Sequence, residues 1–338
     1  MNSCTMVWCL HICFLLAGTV NPLWGEKNIP KVQVSKRLMG TEVRILVDAP
    51  SSSELNHSIS AAFREGERLN MILSDWEGES ELSQLSRSSE FGKPFPLSQE
   101  LWEVLLYSQT LAHQSRGAFD VTVGSLSRLW RIARHQKRLP EPQKLHQTIQ
   151  RTGYEKLLVN ESNPTATLTT QGMVLDLGGV AKGYIADQML SIMKKSGFAR
   201  CLIDAGGDLT IGDPPLSARG WRVEVGGISD SEIPPLALSN CAVATSGDLE
   251  QFLELEGKRY SHLINPKSGL GLKGGAQVTI IAKNGMTADA LASTCLVLGL
   301  KEAKSFLAKS DYNSMYYLEL HKSSKDLQVY ELHKNETE

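Results

Sequence analysis

The chain has 338 residues, of which 41% are hydrophobic and 21% are charged, and its formal net charge is −2. This length allows one large domain or two small ones with a substantial buried core. The composition lies far from that of disordered or fibrous proteins. No dense stripe of Lys and Arg interleaved with aromatic residues is present, which argues against nucleic acid as a partner.

The N-terminal segment differs from the rest of the chain. Residues 6–17 form an apolar run of signal-peptide length, followed by small and turn-forming residues around Gly18, Pro22 and Gly25. The run is too short to span a bilayer comfortably, and no Lys or Arg precedes it. We predict a signal peptide over residues 1–25 and export to the periplasm or the outer face of the cytoplasmic membrane. The alternative is a hydrophobic anchor that stays attached.

Three cysteines lie outside this leader: Cys201, Cys241 and Cys295. Their number is odd and their spacing matches neither a metal site nor a redox motif. Each lies in an apolar stretch, so we predict that all three are small buried hydrophobic residues.

From about residue 39 onward, strand-like and helix-like segments alternate without a long linker, which predicts one domain, assigned to residues 26–334. A strand is predicted over residues 42–47, because polar and apolar residues alternate there. A helix follows the serines at 51–53, and a second helix begins after Ser98.

Further strands and helices are predicted later in the chain. A helix covers about residues 182–195 and ends before Gly197, and another helix begins near Ala288. Residues 134–142 are basic and contain proline, which predicts a surface excursion. Short strands are predicted at residues 200–204, 221–225, 241–244 and 277–282.

The densest chemical signal is the segment 175–184, which reads LDLGGVAKGY. A short apolar strand is predicted to break into glycines and open a helix. Glycines let the backbone approach an anion, the first helical N–H groups point at it, and Lys182 adds a positive charge. A plain tight turn between strand and helix is an equally good interpretation of these residues alone.

Two more glycine-containing segments follow predicted strands. Residues 204–208 (DAGGD) place a glycine pair between carboxylates, and residues 245–248 (TSGD) offer two hydroxyls and a carboxylate. Taken separately, the first could be a hairpin turn and the second a helix cap or a turn.

Asp289 and Ser293 are four residues apart, so they share one face of the predicted helix and both offer hard oxygen atoms. Magnesium prefers such ligands and often links one or two protein oxygens to substrate phosphates. Alone, an aspartate at position 289 would more often be a first-turn residue that complements the helix dipole. His262, between a serine and an apolar pair, could be structural or could serve as a general base.

Eight segments in chain order carry a family resemblance: residues 39–41, 80–82, 117–124, 176–187, 206–208, 245–247, 261–262 and 288–291. Together they closely resemble the FAD:protein FMN transferase family, the ApbE-like flavin transferases, over roughly residues 39 to 300. The resemblance implies an α+β fold, a single ApbE/T-fold-like domain in which mixed, largely antiparallel β-sheets pack with helices.

The resemblance also implies a role for individual residues. Asp289 and Ser293 would hold Mg²⁺ together with backbone oxygen from the turn at Gly179 and Ala181, and His262 would be catalytic. The residues implied to contact FAD are Met39, Trp76, Ala118, Phe119, Asp120, Asp176, Lys182 and Ile264.

Three positions depart from the family pattern. Trp76 stands where Tyr is common, which keeps an aromatic face. Ser293 stands where Thr is usual, which keeps the hydroxyl. Asn265 stands where Asp is usual, which removes one carboxylate.

The implied reaction is magnesium-dependent cleavage of FAD, with FMN attached through a phosphoester bond to a Thr or Ser of an acceptor protein and AMP released. The implied acceptor is a flavoprotein, an exported or membrane redox subunit. Two alternatives remain: a protein that binds or stores FAD without turnover, and a magnesium-dependent FAD pyrophosphatase that gives FMN and AMP.

Overall fold

The structure is a computed structural model. It describes residues 32–88, 91–225, 233–247, 252–255, 258–261, 263–273, 275–320 and 327–334. The predicted signal peptide over residues 1–25 and the predicted catalytic residue His262 lie outside the described residues.

The described strands are β1 Val32–Leu38, β2 Thr41–Val47, β3 Phe95–Pro96, β4 Leu157–Val159, β5 Thr165–Leu168, β6 Cys201–Ala205, β7 Asp208–Ile211, β8 Trp221–Val223, β9 Leu236–Leu238, β10 Cys241–Gly247, β11 Phe252–Leu255, β12 Lys258–Ser261, β13 Ala276–Ala282, β14 Ser314–Leu320 and β15 Leu327–His333. The described helices are α1 Ser53–Leu73, α2 Glu81–Arg87, α3 Gln99–Gln114, α4 Gly124–Gln136, α5 Pro142–Ile149, α6 Ala181–Lys195, α7 Gly285–Leu298 and α8 Leu300–Leu307.

A large antiparallel sheet organises the molecule. Within the described ranges it has eight strands, in the order β1-β2-β6-β7-β10-β13-β14-β15. Every neighbouring pair in it is antiparallel. Smaller sheets, β3-β5-β4 among them, and the helices complete the fold. The predicted α+β class with largely antiparallel sheets is confirmed.

The large sheet is covered on both faces, because its side chains alternate between two apolar clusters. Ile45 and its partner Ile203 face a core that includes apolar residues of helices α1, α6 and α7. Leu46 and its partner Leu202 face the other side, where they cluster with Trp221 of β8. Helices α6 and α7 therefore pack on the same face of the sheet, the face that carries Ile45 and Ile203.

A third apolar cluster joins α4 to the chain around β12. Trp130 of α4 packs in this cluster with Tyr260 and Ile264, and its indole N–H donates to the carbonyl of Gly269 at 2.7 Å. Residues 134–142 lie mostly at the surface, as predicted, although the first three belong to α4, which continues to Gln136.

The predicted helix starts agree closely with the structure. Ser52 caps α1 by accepting from the N–H of Leu55, and Ser98 caps α3 in the same way. The three cysteines are buried free thiols, as predicted, and burial raises the pKa of Cys241 to about 11. No helix in the described part of the chain has both the length and the apolar character needed to cross a membrane.

Candidate active site

Helices α6 and α7 cross at two glycines. A Cβ atom added to Gly183 would lie 2.0 Å from the carbonyl oxygen of Gly285, and one added to Gly285 would lie 2.6 Å from the carbonyl oxygen of Gly183. Both distances are far shorter than any real Cβ contact, so only glycine fits on either side. This close approach brings the first turn of α6 against α7.

Asp187 ties the same two helices together. Its carboxylate accepts from the backbone N–H groups of Gly285 at 2.7 Å and Met286 at 3.0 Å, which lie at the start of α7. These are N–H groups that have no partner within the helix. Burial raises the pKa of Asp187 to about 6, and the hydrogen bonds oppose that rise.

One lysine lies between two carboxylates where α6, α7 and β7 meet. The ammonium of Lys182 is 2.9 Å from Asp208 Oδ2 and 3.4 Å from Asp289 Oδ1. Burial disfavours the charged ammonium, but the two carboxylates raise the pKa of Lys182 above its usual value. Lys182 therefore acts here as a permanent positive charge.

Asp289 is almost completely buried, and burial raises its pKa to about 6 although Lys182 opposes the rise. Its Oδ2 accepts from the N–H of Gly183 in the first turn of α6 at 3.2 Å. α7 begins at Gly285, so Asp289 lies beyond the first turn of its own helix. The alternative interpretation of Asp289 as a first-turn residue is wrong.

Ser293 completes this group. The Ser293 Oγ lies 2.9 Å from Ser246 Oγ. A Cβ added to Gly179 would lie 3.1 Å from the Ser293 Oγ. Ser246 belongs to β10, which runs to Gly247, so the segment 245–247 is strand rather than a helix cap or turn. The sequence placed Asp289 and Ser293 on one helix face, and the structure brings both against the turn before α6. We call Lys182, Asp208, Ser246, Asp289 and Ser293 the inner cluster.

The inner cluster presents oxygen atoms of the kind that Mg²⁺ prefers: two carboxylates and two hydroxyls. In the described part of the chain, no three His, Cys, Asp or Glu side chains form a metal-binding group. A cation here would therefore have few protein ligands and would keep positions for water or phosphate oxygens. Gly179 faces Ser293, and Ala181 is the first residue of α6 and precedes Lys182, so both residues implied to supply backbone oxygen lie beside the inner cluster.

A second cation lies between two carboxylates further out. The guanidinium of Arg131 on α4 is 2.8 Å from Asp75 Oδ2 and 3.7 Å from Asp176 Oδ2, and it lies 3.8 Å from the ring centroid of Trp76. Burial and the neighbouring Asp176 raise the pKa of Asp75, against the effect of Arg131. We call Asp75, Trp76, Arg131 and Asp176 the outer cluster.

The loop before α6 links the two clusters. Asp176 Oδ1 accepts from the N–H of Gly178 at 2.8 Å, and Lys182 donates to the carbonyl oxygen of Gly178 at 3.3 Å. The predicted strand over residues 175–177 is wrong, because these residues belong to no strand and only one isolated bridge, between Val123 and Val174, lies beside them. Gly178 is therefore bound by Asp176 on one side of the loop and by Lys182 on the other.

The segment 118–120 lies behind this loop. Ala118, Phe119 and Asp120 are buried, and the Phe119 ring lies 3.6 Å from where a Cβ on Gly179 would be. Asp120 Oδ1 accepts from both the N–H and the hydroxyl of Thr122, at 2.8 and 2.6 Å. Burial raises the pKa of Asp120. Asp120 therefore shapes its own turn, and Phe119 supports the glycine turn.

Two predicted FAD contacts lie at the edges of the site. Met39 has φ = 53° in the β1–β2 turn, and Thr41 beside it packs against Gly206, in the turn that leads to Asp208. Ile264 is buried against Trp130 and Tyr260, so its side chain belongs to neither cluster.

Asn265 Oδ1 accepts from the N–H groups of Lys267 and Ser268, at 3.0 and 3.2 Å, and so stabilises a turn.

Several residues of the two clusters were not among the predicted site residues: Asp75, Arg131, Asp208 and Ser246. Asp208 had a local signal, since it follows a glycine pair after a strand. Arg131 had none, because its partners Asp75 and Asp176 are 56 and 45 residues away in the chain.

The sequence pattern of the ApbE family matches residues 39–317, which span both clusters. The chain belongs to the ApbE family. Among its relatives, the FAD:protein FMN transferase of Treponema pallidum is 28% identical over 326 residues, covering 91% of this chain and 90% of the relative. That of Salmonella typhimurium is 29% identical over 321 residues, with the same coverage.

Solved ApbE structures share the fold. The flavin transferase ApbE of Vibrio cholerae superposes with a TM-score of 0.79 at 25% identity, covering 89% of this chain and 96% of that one. The ApbE protein of Thermotoga maritima gives a TM-score of 0.75 at 27% identity, covering 88% and 96%.

Proposed function

We propose that the chain is a magnesium-dependent FAD:protein FMN transferase, which cleaves FAD, attaches FMN through a phosphoester bond to a Thr or Ser of an acceptor protein and releases AMP. The observation that carries the proposal is the inner cluster. There, Asp289 and Ser293 present hard oxygen atoms beside a glycine turn, and Lys182 supplies a lasting positive charge. Relatives of similar length carry this enzyme name.

Mg²⁺ would be held by Asp289 and Ser293 with backbone oxygen from Gly179 and Ala181. Bound there, it supplies charge neutralisation for the pyrophosphate of FAD. Asp289 suits this role because burial has made its negative charge costly in the absence of a second cation. The hydroxyl of Ser293, now paired with Ser246, supplies a neutral oxygen.

Lys182 would bind phosphate oxygens and would not serve as an acid. Its raised pKa keeps it protonated at neutral pH, so it stabilises negative charge without giving up a proton. The Gly183 N–H in the first turn of α6 donates to Asp289 at 3.2 Å, so this turn would orient the carboxylate beside Lys182.

Besides Lys182, the residues that would contact FAD are Met39, Trp76, Ala118, Phe119, Asp120, Asp176 and Ile264. Trp76 is 73% exposed, so its indole remains accessible for stacking on a planar ring. Asp176 lies between Trp76 and the glycine turn, at the point where a ligand would pass from the outer to the inner cluster.

His262 would take the proton from the acceptor hydroxyl as its oxygen attacks the phosphorus on the FMN side. The new P–O bond joins FMN to the acceptor, and the P–O bond to AMP breaks. In this reaction the residues of the inner cluster hold the phosphates, and His262 moves the proton.

We further propose that residues 1–25 direct export and that the domain over residues 26–334 works in the periplasm or on the outer face of the cytoplasmic membrane. The acceptor would then be an exported or membrane redox subunit. The apolar run at residues 6–17 supports this location.

The test is product analysis with FAD and Mg²⁺, with and without a candidate acceptor. Transfer predicts an acceptor heavier by FMN and one AMP per modification. FMN and AMP without an acceptor would instead indicate a pyrophosphatase. A stoichiometric yellow complex without AMP would indicate a storage protein.

A further inference from the structure

Trp76 is a large aromatic side chain left mostly in solvent, with 73% of its surface exposed. A single exposed apolar residue is common on protein surfaces, but this one lies on a guanidinium that two carboxylates hold in place. One face of its ring is covered by the Arg131 guanidinium at 3.8 Å, so the remaining exposure leaves the other face open. Arg131 therefore supports one face of the indole, and the opposite face is accessible to a ligand.

Arg131 is itself held in place by two carboxylates. Asp75, the residue before Trp76, pairs with it at 2.8 Å, and Asp176 lies 3.7 Å away on the loop that leads to the inner cluster. A planar guanidinium can pair with a carboxylate through its edge and stack on an indole through its face at the same time. A lysine ammonium can also lie over an indole, but it has no planar face to stack on the ring and no fork to pair through its edge.

We propose that Arg131 is a positioning residue that fixes Trp76 as a stacking platform for a planar ring of the substrate. This inference rests on the proposed function, since FAD supplies the ring. FAD carries two such rings, the flavin and the adenine, and both have a π-face that an indole accepts. Among the contacts described, Arg131 touches no residue of the inner cluster.

The test is the dissociation constant of FAD, measured by fluorescence titration for the parent, Arg131→Lys, Trp76→Ala and the double variant. Arg131→Lys keeps the charge and removes the planar stack, so it should weaken FAD binding about fivefold. Trp76→Ala should weaken it about tenfold. In the Trp76→Ala background, Arg131→Lys should change FAD affinity by less than about twofold, because its partner is gone.

Arg128→Lys is the matched control, since Arg128 lies one turn earlier on the same helix and is exposed. It should leave FAD affinity unchanged. Inorganic pyrophosphate, which has no ring, should bind Arg131→Lys as well as it binds the parent. Titrations with FMN and with ADP then show which ring stacks, because only the ligand with that ring should respond to Arg131→Lys.

The proposal is overturned if Arg131→Lys binds FAD like the parent, if it weakens pyrophosphate as much as FAD, or if its effect persists undiminished without Trp76. A parent that binds FAD but modifies no acceptor would contradict the transferase proposal and leave this one standing. A parent that binds neither FAD, FMN nor ADP would overturn both.

Discussion

The inner and outer clusters each place one cation between two carboxylates, and the carboxylates are buried to a similar degree in both. What differs is the neighbour of the cation. In the inner cluster Lys182 contacts the glycine turn and pairs with Asp289, on the helix that also carries Ser293, whereas in the outer cluster Arg131 lies on an exposed indole. The same charge arrangement therefore suits phosphate and metal binding in one place and ring binding in the other.

The choice of cation follows from those neighbours. Lysine is a compact charge on a flexible stem, which can pair with carboxylates in one state and with phosphate oxygens in another. Arginine has a planar, always charged head that stacks on aromatic rings and pairs through its edge. Variants that separate chemistry from ring binding therefore test this comparison most directly.

Asp289→Asn should have the largest effect. It keeps the shape of the side chain and removes the charge that would hold the metal, so the transfer rate should fall by about 10²–10³. Asp75→Asn in the outer cluster should raise KM for FAD and leave kcat within about threefold. Steady-state kinetics of both variants would contradict the division of tasks if Asp75→Asn lowered kcat as much as Asp289→Asn.

Asp187, which joins α6 to α7 next to the inner cluster, should make the free energy of unfolding depend on pH. Its pKa is raised from 3.8 to about 6 by burial, so the folded protein holds this proton more tightly than the unfolded chain. The stabilisation from this group is fully present below about pH 4 and is lost as the pH rises through 6. The free energy of unfolding should fall by up to about 3 kcal/mol over this window.

Asp187→Asn should lack this fall, and denaturant titrations at several pH values measure the difference. Asp311→Asn, at an exposed carboxylate, is the control and should keep the pH dependence of the parent. A parent and an Asp187→Asn variant with parallel pH profiles would show that Asp187 does not titrate in this range.

Gly183→Ala should separate α6 from α7, because the new Cβ would lie 2.0 Å from the Gly285 carbonyl. Overpacking of this kind costs about 1–3 kcal/mol, which a lower Tm would report. Gly78→Ala, whose Cβ would meet only the end of Arg87 at 3.5 Å, should melt within about 2 °C of the parent. An unchanged Tm for Gly183→Ala would show that the two helices can move apart at little cost.

Ser293→Thr should have the smallest effect, since it restores the residue usual in the family and keeps the hydroxyl. Its midpoint for activation by Mg²⁺ should lie within about threefold of the parent, corresponding to less than about 1 kcal/mol. Ser293→Ala should shift the midpoint further, because it removes both the ligand oxygen and the bond to Ser246. Equal Mg²⁺ activation midpoints for the parent, Ser293→Thr and Ser293→Ala would contradict the assignment of Ser293 as a metal ligand.

The sequence was sufficient where the signal is local. The caps at Ser52 and Ser98 and the shared helix face of Asp289 and Ser293 depend on residues within one turn of each other, and the structure has all of them. The inner cluster could not be assembled in this way, because Asp208 reaches Lys182 only through the order of strands in the central sheet.

Boundaries and long-range pairs were predicted least well. The segment 245–247 contains turn-forming residues, but pairing with β13 keeps it in a strand. The contact of Arg131 with Trp76 brings α4 against the segment that follows α1, which no periodicity in either segment encodes. The roles given to Met39 and Ile264 come from family resemblance alone and stay predictions.

The most direct test of the inner cluster as a flavin transfer site is the intact mass of a candidate acceptor after incubation with FAD, Mg²⁺ and this protein. The parent should add the mass of FMN and release one AMP for each modified acceptor. His262→Ala and Asp289→Asn should leave the acceptor at its original mass, while Arg128→Lys should modify it fully. Equal modification by the parent and Asp289→Asn would contradict the assignment of flavin transfer to the inner cluster.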